Sequence, residues 1–214
     1  MLNADFDAAG DLDSQAASAN WQLEEGTFPG SGEVTLADTH VVLNNTRLQA
    51  EQGTITADAV LELDSGDWQA TANTDQVAVS QFTDNAQGLL SADVEAFGNL
   101  NALDLDQIEA RGTPFFANAQ ASLTKNGVPL LEPGDWTTAF EWAGDAITVN
   151  NFSAPGLQAD GTIGVDFTRD ILIGNLAFNV GLQSYDLQRL NGFVPSSLGE
   201  YAQLDGLTSF DGKI

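Results

Sequence analysis

The segment LQAEQGTITADAVLEL at residues 48–63 constrains the fold more than any other part of the chain, because its pattern returns. Related text begins at residue 85 (NAQGLLSADVEAF), residue 108 (IEARGTPFFANAQASL) and residue 157 (LQADGTIGVDF). In each copy, apolar or small residues alternate with polar ones, and a glycine interrupts the alternation. A period of two is typical of a β-strand with one apolar and one wet face. The recurrence therefore predicts an all-β repeat array whose units bury their apolar faces against neighbours.

The alternation assigns definite residues to the apolar face of three predicted strands. One-sided patterning of this kind is common in antiparallel sheets that cover something apolar on a single side. The residues on that face are Ile55, Ala57, Ala59, Leu61 and Leu63 in the first strand, Leu90, Ala92, Val94 and Ala96 in the second, and Phe115, Ala117, Ala119, Ala121 and Leu123 in the third.

Glycines head the four cassettes at uneven intervals, at Gly53, Gly88, Gly112 and Gly161. Uneven spacing argues against a strict-period propeller and for a strand meander with loops of varying length. Glycine within strand text usually marks a bulge or a bend. We therefore expect the sheet to bend at these residues, and at Gly53 in particular.

A longer repeat joins HVVLNNTRLQAEQGTI from residue 40 to AITVNNFSAPGLQADGTI from residue 146, and a Gly-Asp-Trp triplet ends at both Trp68 and Trp136. Each triplet opens an alternating run, so we predict two to three copies of a multi-strand unit. Little helix is expected, apart from one short helix or turn within 185–204. The chain begins and stops inside alternating text, so we interpret 1–214 as a single continuous β-repeat segment of a larger protein.

The charge balance excludes some partners. Six Lys+Arg stand against thirty-one Asp+Glu, which gives a formal net charge of −25 at pH 7. Nucleic-acid binding needs clustered cations that displace counterions, so nucleic acid is not an expected partner. An anionic membrane surface would also repel such a chain. The simplest interpretation is an acidic exterior that keeps an apolar-rich array soluble.

Catalytic and metal-binding motifs are missing from the sequence. Cysteine is absent, and His40 is the only histidine, so a thiolate site, a multi-histidine site and a catalytic triad are not expected. The opening DFDAAGDLDS resembles a calcium loop, but alanines stand at the fifth and twelfth positions, where that loop needs oxygen ligands. We therefore predict a protein that is not an enzyme and has no cofactor and no resident metal.

The apolar face itself is the remaining functional feature. It mixes bulky side chains with many alanines, which leave room next to the sheet. A facing sheet would fill that room and seal a core, whereas an open or folded-over sheet would leave a groove. The residues alone favour the sealed core, because buried strands normally meet a partner layer.

The Gly-Thr-Ile cassettes at 53–55 and 161–163, the two Gly-Asp-Trp openings and the closing text from residue 185 resemble the AsmA-like repeat proteins. Within that superfamily the chain looks most like the TamB-like subunits of the translocation and assembly module, of the cyanobacterial or plastid inner-envelope type. The resemblance implies a β-taco, which is a long curved sheet folded lengthwise into a half-pipe with an apolar interior.

The resemblance also implies a function without catalysis. The chain would be a segment of an intermembrane bridge in the periplasm or intermembrane space, anchored in the inner membrane or inner envelope. Its groove would guide phospholipid acyl chains or chaperone unfolded outer-membrane β-barrel segments, and the full-length protein would dock on an outer-membrane barrel partner. The expected groove residues are Leu48, Ile55, Leu61, Leu90, Val94, Phe115, Leu123, Trp136, Phe140, Ile163, Val165, Phe178 and Val180.

An alternative interpretation is an extracellular acidic β-solenoid or adhesin-type structural protein with a sealed core. It predicts no copurifying lipid. A polysaccharide hydrolase is a third interpretation, and it would require two acidic side chains to converge in a cleft.

Overall fold

A computed structural model describes residues 4–11, 16–102, 107–121, 131–166, 173–186, 188–189 and 207–213. About 75% of these residues are in β-strands and none is in an α-helix, which confirms the predicted all-β class. A 3₁₀ turn at Val79–Gln81 connects two of the strands. The strands are β1 (Ala4–Asp11), β2 (Ala16–Leu23), β3 (Gly30–Ala37), β4 (His40–Gln49), β5 (Thr54–Glu62), β6 (Asp67–Ala78), β7 (Ala86–Asn99), β8 (Glu109–Gly112), β9 (Phe115–Ala121), β10 (Gly134–Ala143), β11 (Ala146–Ala154), β12 (Leu157–Val165), β13 (Ile173–Asp186) and β14 (Leu207–Lys213).

The chain forms two compact units, and in each the strands follow a meander. The first unit comprises Met1–Ala78, Leu90–Thr113 and Glu141–Asp145, and the second comprises Val79–Leu89, Pro114–Phe140 and Ala146–Ile214. In the first unit β1 to β8 lie side by side in chain order, and in the second β10 to β14 do so, with β9 paired to β10. Short connections between sequential strands lead naturally to antiparallel pairing.

Strand β5 confirms the predicted alternation. Ile55, Ala57, Ala59 and Leu61 are half-buried, and every residue between them is exposed. The prediction fails at the end of the segment, because β5 stops at Glu62 and the following Leu63 is 50% exposed in the turn.

Five strands contain a bulge residue with a left-handed backbone, a conformation that Asn tolerates better than most residues. After each bulge, the residue that follows turns inward, because an extra residue reverses which positions face the core. Thr46, Val77, Ala119 and Tyr185 are all at most 6% exposed for this reason. The bulge residues, with φ between 51° and 55°, are Asn45 in β4, Gln76 in β6, Asn118 in β9, Asn151 in β11 and Ser184 in β13.

Side chains on the neighbouring strand hold four of these bulges. At each one, an oxygen of Asp or Ser accepts a hydrogen bond from the backbone N–H of the bulge residue. This bond gives an acceptor to a backbone amide that the irregular strand pairing leaves without one. The four donor–acceptor pairs are Asn45 to Asp58 at 3.1 Å, Gln76 to Ser91 at 3.1 Å, Asn118 to Asp135 at 3.0 Å and Asn151 to Asp160 at 2.7 Å.

The four cassette glycines do not occupy equivalent places, contrary to the expectation from their repeated letters. Gly53 lies in the connection between β4 and β5 at φ 84°, and a Cβ there would overlap the backbone at Gln76. Gly88 lies near the start of β7, Gly112 ends β8, and Gly161 lies in the middle of β12. Because the loops differ in length, similar sequence segments occupy different structural positions.

The Gly-Asp-Trp triplets behave as predicted, since β6 opens at Asp67 and β10 opens at Gly134. Within the segment 185–204, where one short helix or turn is predicted, Tyr185 and Asp186 end β13. Most of that segment lies outside the described residues.

Candidate functional site

Cross-strand neighbours in β4, β5 and β6 form an uncharged apolar surface in the first unit. Directly paired residues share a face of a sheet, so the register defines this surface. None of its members is ionisable, and the opposite face carries the acidic residues. Its four ladders are Leu48–Ile55–Thr74, Thr46–Ala57–Ala72, Leu43–Ala59–Ala70 and Val41–Leu61–Trp68.

The two central ladders contribute only alanines from β5 and β6. We call these four residues, Ala57, Ala59, Ala70 and Ala72, the alanine lane. Larger side chains flank it in β5 at Ile55 and Leu61, whose Cα atoms are ~20 Å apart for six residues of extended chain. All four alanines are half-buried rather than buried. The lane is therefore partly accessible to solvent.

Tryptophans cover glycines beside the lane. Trp21 pairs with Gly32, and a Cβ on that glycine would lie 2.7 Å from the indole nitrogen. The Trp68 ring lies over Gly98 in the same way. Placing an aromatic ring over a strand glycine restores packing where a side chain is missing.

The opposite face of the first unit is polar and strongly acidic. Asn73 Nδ2 donates a hydrogen bond to Asp93 at 2.7 Å, and Arg111 Nε donates one to Glu95 at 2.8 Å. His40 lies 3.0 Å from a Glu62 oxygen at the exposed start of β4. These pairs are solvent-exposed, so each contributes little stability, and their main effect is to keep this face wet.

Five predicted groove residues lie on the apolar side of the first unit. Leu48, Ile55 and Leu61 are members of its ladders. Leu90 and Val94 lie on β7 at positions that alternate with Asp93, whose side chain binds Asn73 on the polar face. The period of two therefore places both side chains on the apolar side.

The second unit has an apolar face with a small buried cluster. Ala119, Trp136 and Ala154 form this cluster, and the partly buried Phe116 and Phe152 pack against it. Two predicted groove residues on this face lie in β10, Trp136 and the half-buried Phe140, which is four residues further along the strand. The others lie in the paired strands β12 and β13 and are Ile163, Val165, Phe178 and Val180.

The prediction for Phe115 is wrong, and the structure assigns its place to Phe116. Trp136 pairs with Phe116, whereas Phe115 pairs with the exposed Thr137 and is itself 38% exposed. The bulge at Asn118 reverses the alternation within β9, so residues before it cannot be assigned by counting back from Ala119. Leu123 lies outside the described residues.

Side-chain hydrogen bonds connect the turn before β6 with the end of β7 in the first unit. Asn99 Nδ2 donates to the Ser65 carbonyl at 3.0 Å and to Asp67 Oδ1 at 2.7 Å, and Asn101 Nδ2 donates to the same carbonyl at 2.9 Å. Hydrogen bonding with the Ser65 side chain, followed by that from Asn99, holds the pKa of Asp67 below its usual 3.8.

Tyr185 is the most deeply buried aromatic side chain among the described residues of the second unit. Its exposed fraction is 1%, and burial raises the pKa of its hydroxyl above 10.0. The nearby ion pair between Arg189 and Glu132, at 3.3 Å, is only partly exposed. These groups sit beside the bulge at Ser184 and fix the end of β13, which is a structural role.

Sequence reasoning missed Thr46, a buried residue of the apolar surface. It is 6% exposed, and its Oγ1 has no hydrogen-bond partner in the part of the chain that the structure describes. The Asn44-Asn45 pair was the available signal, because Asn favours left-handed backbone and a bulge at Asn45 turns Thr46 inward.

The described residues contain no group of three acidic or histidine side chains that could hold a metal ion. Residues 5–11 of the calcium-like opening lie in strand β1, and its remaining residues lie outside the described part of the chain. In the part of the chain that the structure describes, no helix has the length and apolar character to cross a membrane.

No known family model matches this chain. No curated protein and no solved structure shows significant similarity to it.

Proposed function

We propose that the chain is a segment of a TamB-like intermembrane bridge, whose apolar sheet face guides phospholipid acyl chains or chaperones unfolded outer-membrane β-barrel segments. The observation that supports this most is the open alanine lane, which is uncharged and half-exposed although it lies among larger apolar side chains. Each CH₂ group that leaves water on this surface contributes ~0.8 kcal/mol. Such contacts have no direction, so a bound chain can slide.

The proposal extends to location and partners. The chain would be a segment of a half-pipe in the periplasm or intermembrane space, with the full-length protein anchored in the inner membrane or inner envelope. It would dock on an outer-membrane barrel partner. The acidic opposite face suits an aqueous compartment, because like charges keep such surfaces apart.

Two substitutions test the lipid function. Ile55→Asp and Val165→Asp each place a carboxylate on the apolar face of one unit, where a bound acyl chain would strip it of water. We expect both to abolish retention of a fluorescent phospholipid without changing strand content measured by circular dichroism.

Matched controls lie on the other face of the same strands. Val60→Asp in β5 and Thr162→Asp in β12 change exposed positions, so we expect both to retain lipid normally. Normal retention by Ile55→Asp and Val165→Asp as well would rule out the groove.

The buried cluster around Trp136 favours a second candidate, an extracellular acidic β-solenoid or adhesin-type structural protein with a sealed core. It predicts that mass spectrometry of organic extracts finds no lipid with the purified chain.

A further inference from the structure

The Thr46 hydroxyl is a buried polar group without a protein partner. Among the described residues, only Thr46 Oγ1 and Gln81 Oε1 are buried side-chain atoms that make no hydrogen bond. Gln81 lies in the 3₁₀ turn Val79–Gln81 and not in a strand. Native chains rarely leave such groups unpaired, and each case calls for an explanation such as a missing ligand or water.

The strand register places Thr46 at one end of the alanine lane. Thr46 pairs with Ala57, which pairs with Ala72, so its side chain shares their face. The bulge at Asn45, held by Asp58, turns it there. A valine would fill the same volume without an unpaired hydroxyl, so packing alone does not account for threonine.

The surroundings limit what this hydroxyl can bind. The apolar surface has no cation to pair with a phosphate or carboxylate, and the chain carries a net charge of −25. An uncharged acceptor is therefore favoured over an anionic group. A threonine hydroxyl donates one hydrogen bond, which matches a carbonyl oxygen attached to an apolar chain.

We propose that Thr46 Oγ1 donates a hydrogen bond to the ester carbonyl of a lipid whose acyl chain lies in the alanine lane. This inference rests on the proposed lipid-guiding function and names its substrate class, ester-linked lipids without net negative charge. The bond sets where along the lane the polar end of the chain stops. The methylene chain beyond it contacts only apolar side chains and remains free to slide.

Trp21 lies where its fluorescence should respond to lipid binding at Thr46. Its indole lies over Gly32, which stands across from the Asn45–Thr46 bulge where the β3–β4 register shifts. Because the hydroxyl is covered in the free chain, an entering carbonyl has to displace neighbouring side chains. We expect the tryptophan emission to change when the lipid binds.

The test compares two zwitterionic phosphatidylcholines with identical fluorescent chains, one ester-linked and one ether-linked. The ether lacks the carbonyl and is otherwise the same length. Wild type should bind the ester about three- to tenfold more tightly, which is the usual net contribution of one hydrogen bond. Thr46→Val should bind both lipids with the affinity that wild type has for the ether. Thr46→Ser, which keeps the hydroxyl, should restore the ester preference.

The outcomes separate this inference from the function on which it rests. Equal affinity of wild type for both lipids, or an ester preference that survives in Thr46→Val, would overturn the role of Thr46 but leave the lane as a lipid site. Failure of wild type to bind either lipid would remove both proposals. An ordered water as the permanent partner of Thr46 would give wild type the same affinity for both lipids, which also overturns the role of Thr46. The wild-type comparison needs no variant, so the test stands even if Thr46→Val misfolds.

Discussion

Replacing Ala59 by phenylalanine distinguishes an open lane from a sealed core. Ala59 is half-buried in the middle of β5, between Leu43 and Ala70 in the neighbouring strands. If a second layer sealed this face, the ring would have no space. If the face is open, the ring lies across the lane and occupies the volume of a bound chain.

The two cases differ in magnitude for both stability and binding. Overpacking a sealed core costs about 1–3 kcal/mol of the free energy of unfolding, whereas a change on an open surface stays within about 0.5 kcal/mol. A phenyl ring displaces about four methylene groups of a bound acyl chain, and at ~0.8 kcal/mol each they amount to about 3 kcal/mol. The open lane therefore predicts unchanged stability and roughly a hundredfold weaker lipid binding.

Urea unfolding followed by tryptophan fluorescence measures the first quantity, and titration with a fluorescent phospholipid measures the second. Val60→Phe is the matched control, because Val60 is the next residue of the same strand and points 40% exposed to the opposite face. We expect it to change neither quantity. A loss of more than about 1 kcal/mol in Ala59→Phe, with lipid affinity unaltered, would refute the open lane and favour the sealed solenoid.

Two further predictions concern the backbone and pH. Asn45→Gly should leave the urea midpoint nearly unchanged and Asn45→Ala should lose roughly 1 kcal/mol, because only the alanine resists the left-handed backbone; equal losses would contradict the bulge argument. The lowered pKa of Asp67 means that its bonds with Ser65 and Asn99 stabilise the fold above the unfolded value of 3.8 and are lost as pH falls through the lower folded value. The stability difference between wild type and Asp67→Asn, measured by urea unfolding, should therefore be constant near neutral pH and shrink below 3.8; a difference that persists in acid would count against this assignment.

The sequence predicts the class of fold and the faces of regular strands, because alternation follows from the geometry of the extended chain. Ile55 and Leu61 are placed correctly for that reason. The Gly-Asp-Trp triplets correctly predict that strands begin near Asp67 and Gly134. These are local properties, which sequence patterns carry well.

The errors have one physical source, the bulges. Phe115 and Thr46 are misassigned or missed because one extra residue with a left-handed backbone reverses the alternation, and letters alone do not fix where it falls. The Asn-Asn pairs signal two of the five bulges, but Gln76 and Ser184 have no comparable signature. What covers the apolar face depends on contacts between distant strands, so the residues alone give only the general preference for a sealed core and the resemblance alone gives the groove.

The bulge at Asn45 also changes how mutations along one strand should be interpreted. In β4 the sensitive positions are odd-numbered up to Leu43 and even-numbered from Thr46 onward. A mutational scan averaged over the strand would mix the two frames and show no periodicity. Read separately on each side of Asn45, the same data should give two clean patterns in opposite phase. Deleting Asn45 would remove the extra residue and merge the two frames, with Leu43, Thr46 and Leu48 still on one face, so a one-residue deletion should be tolerated better here than at a regular position of β4.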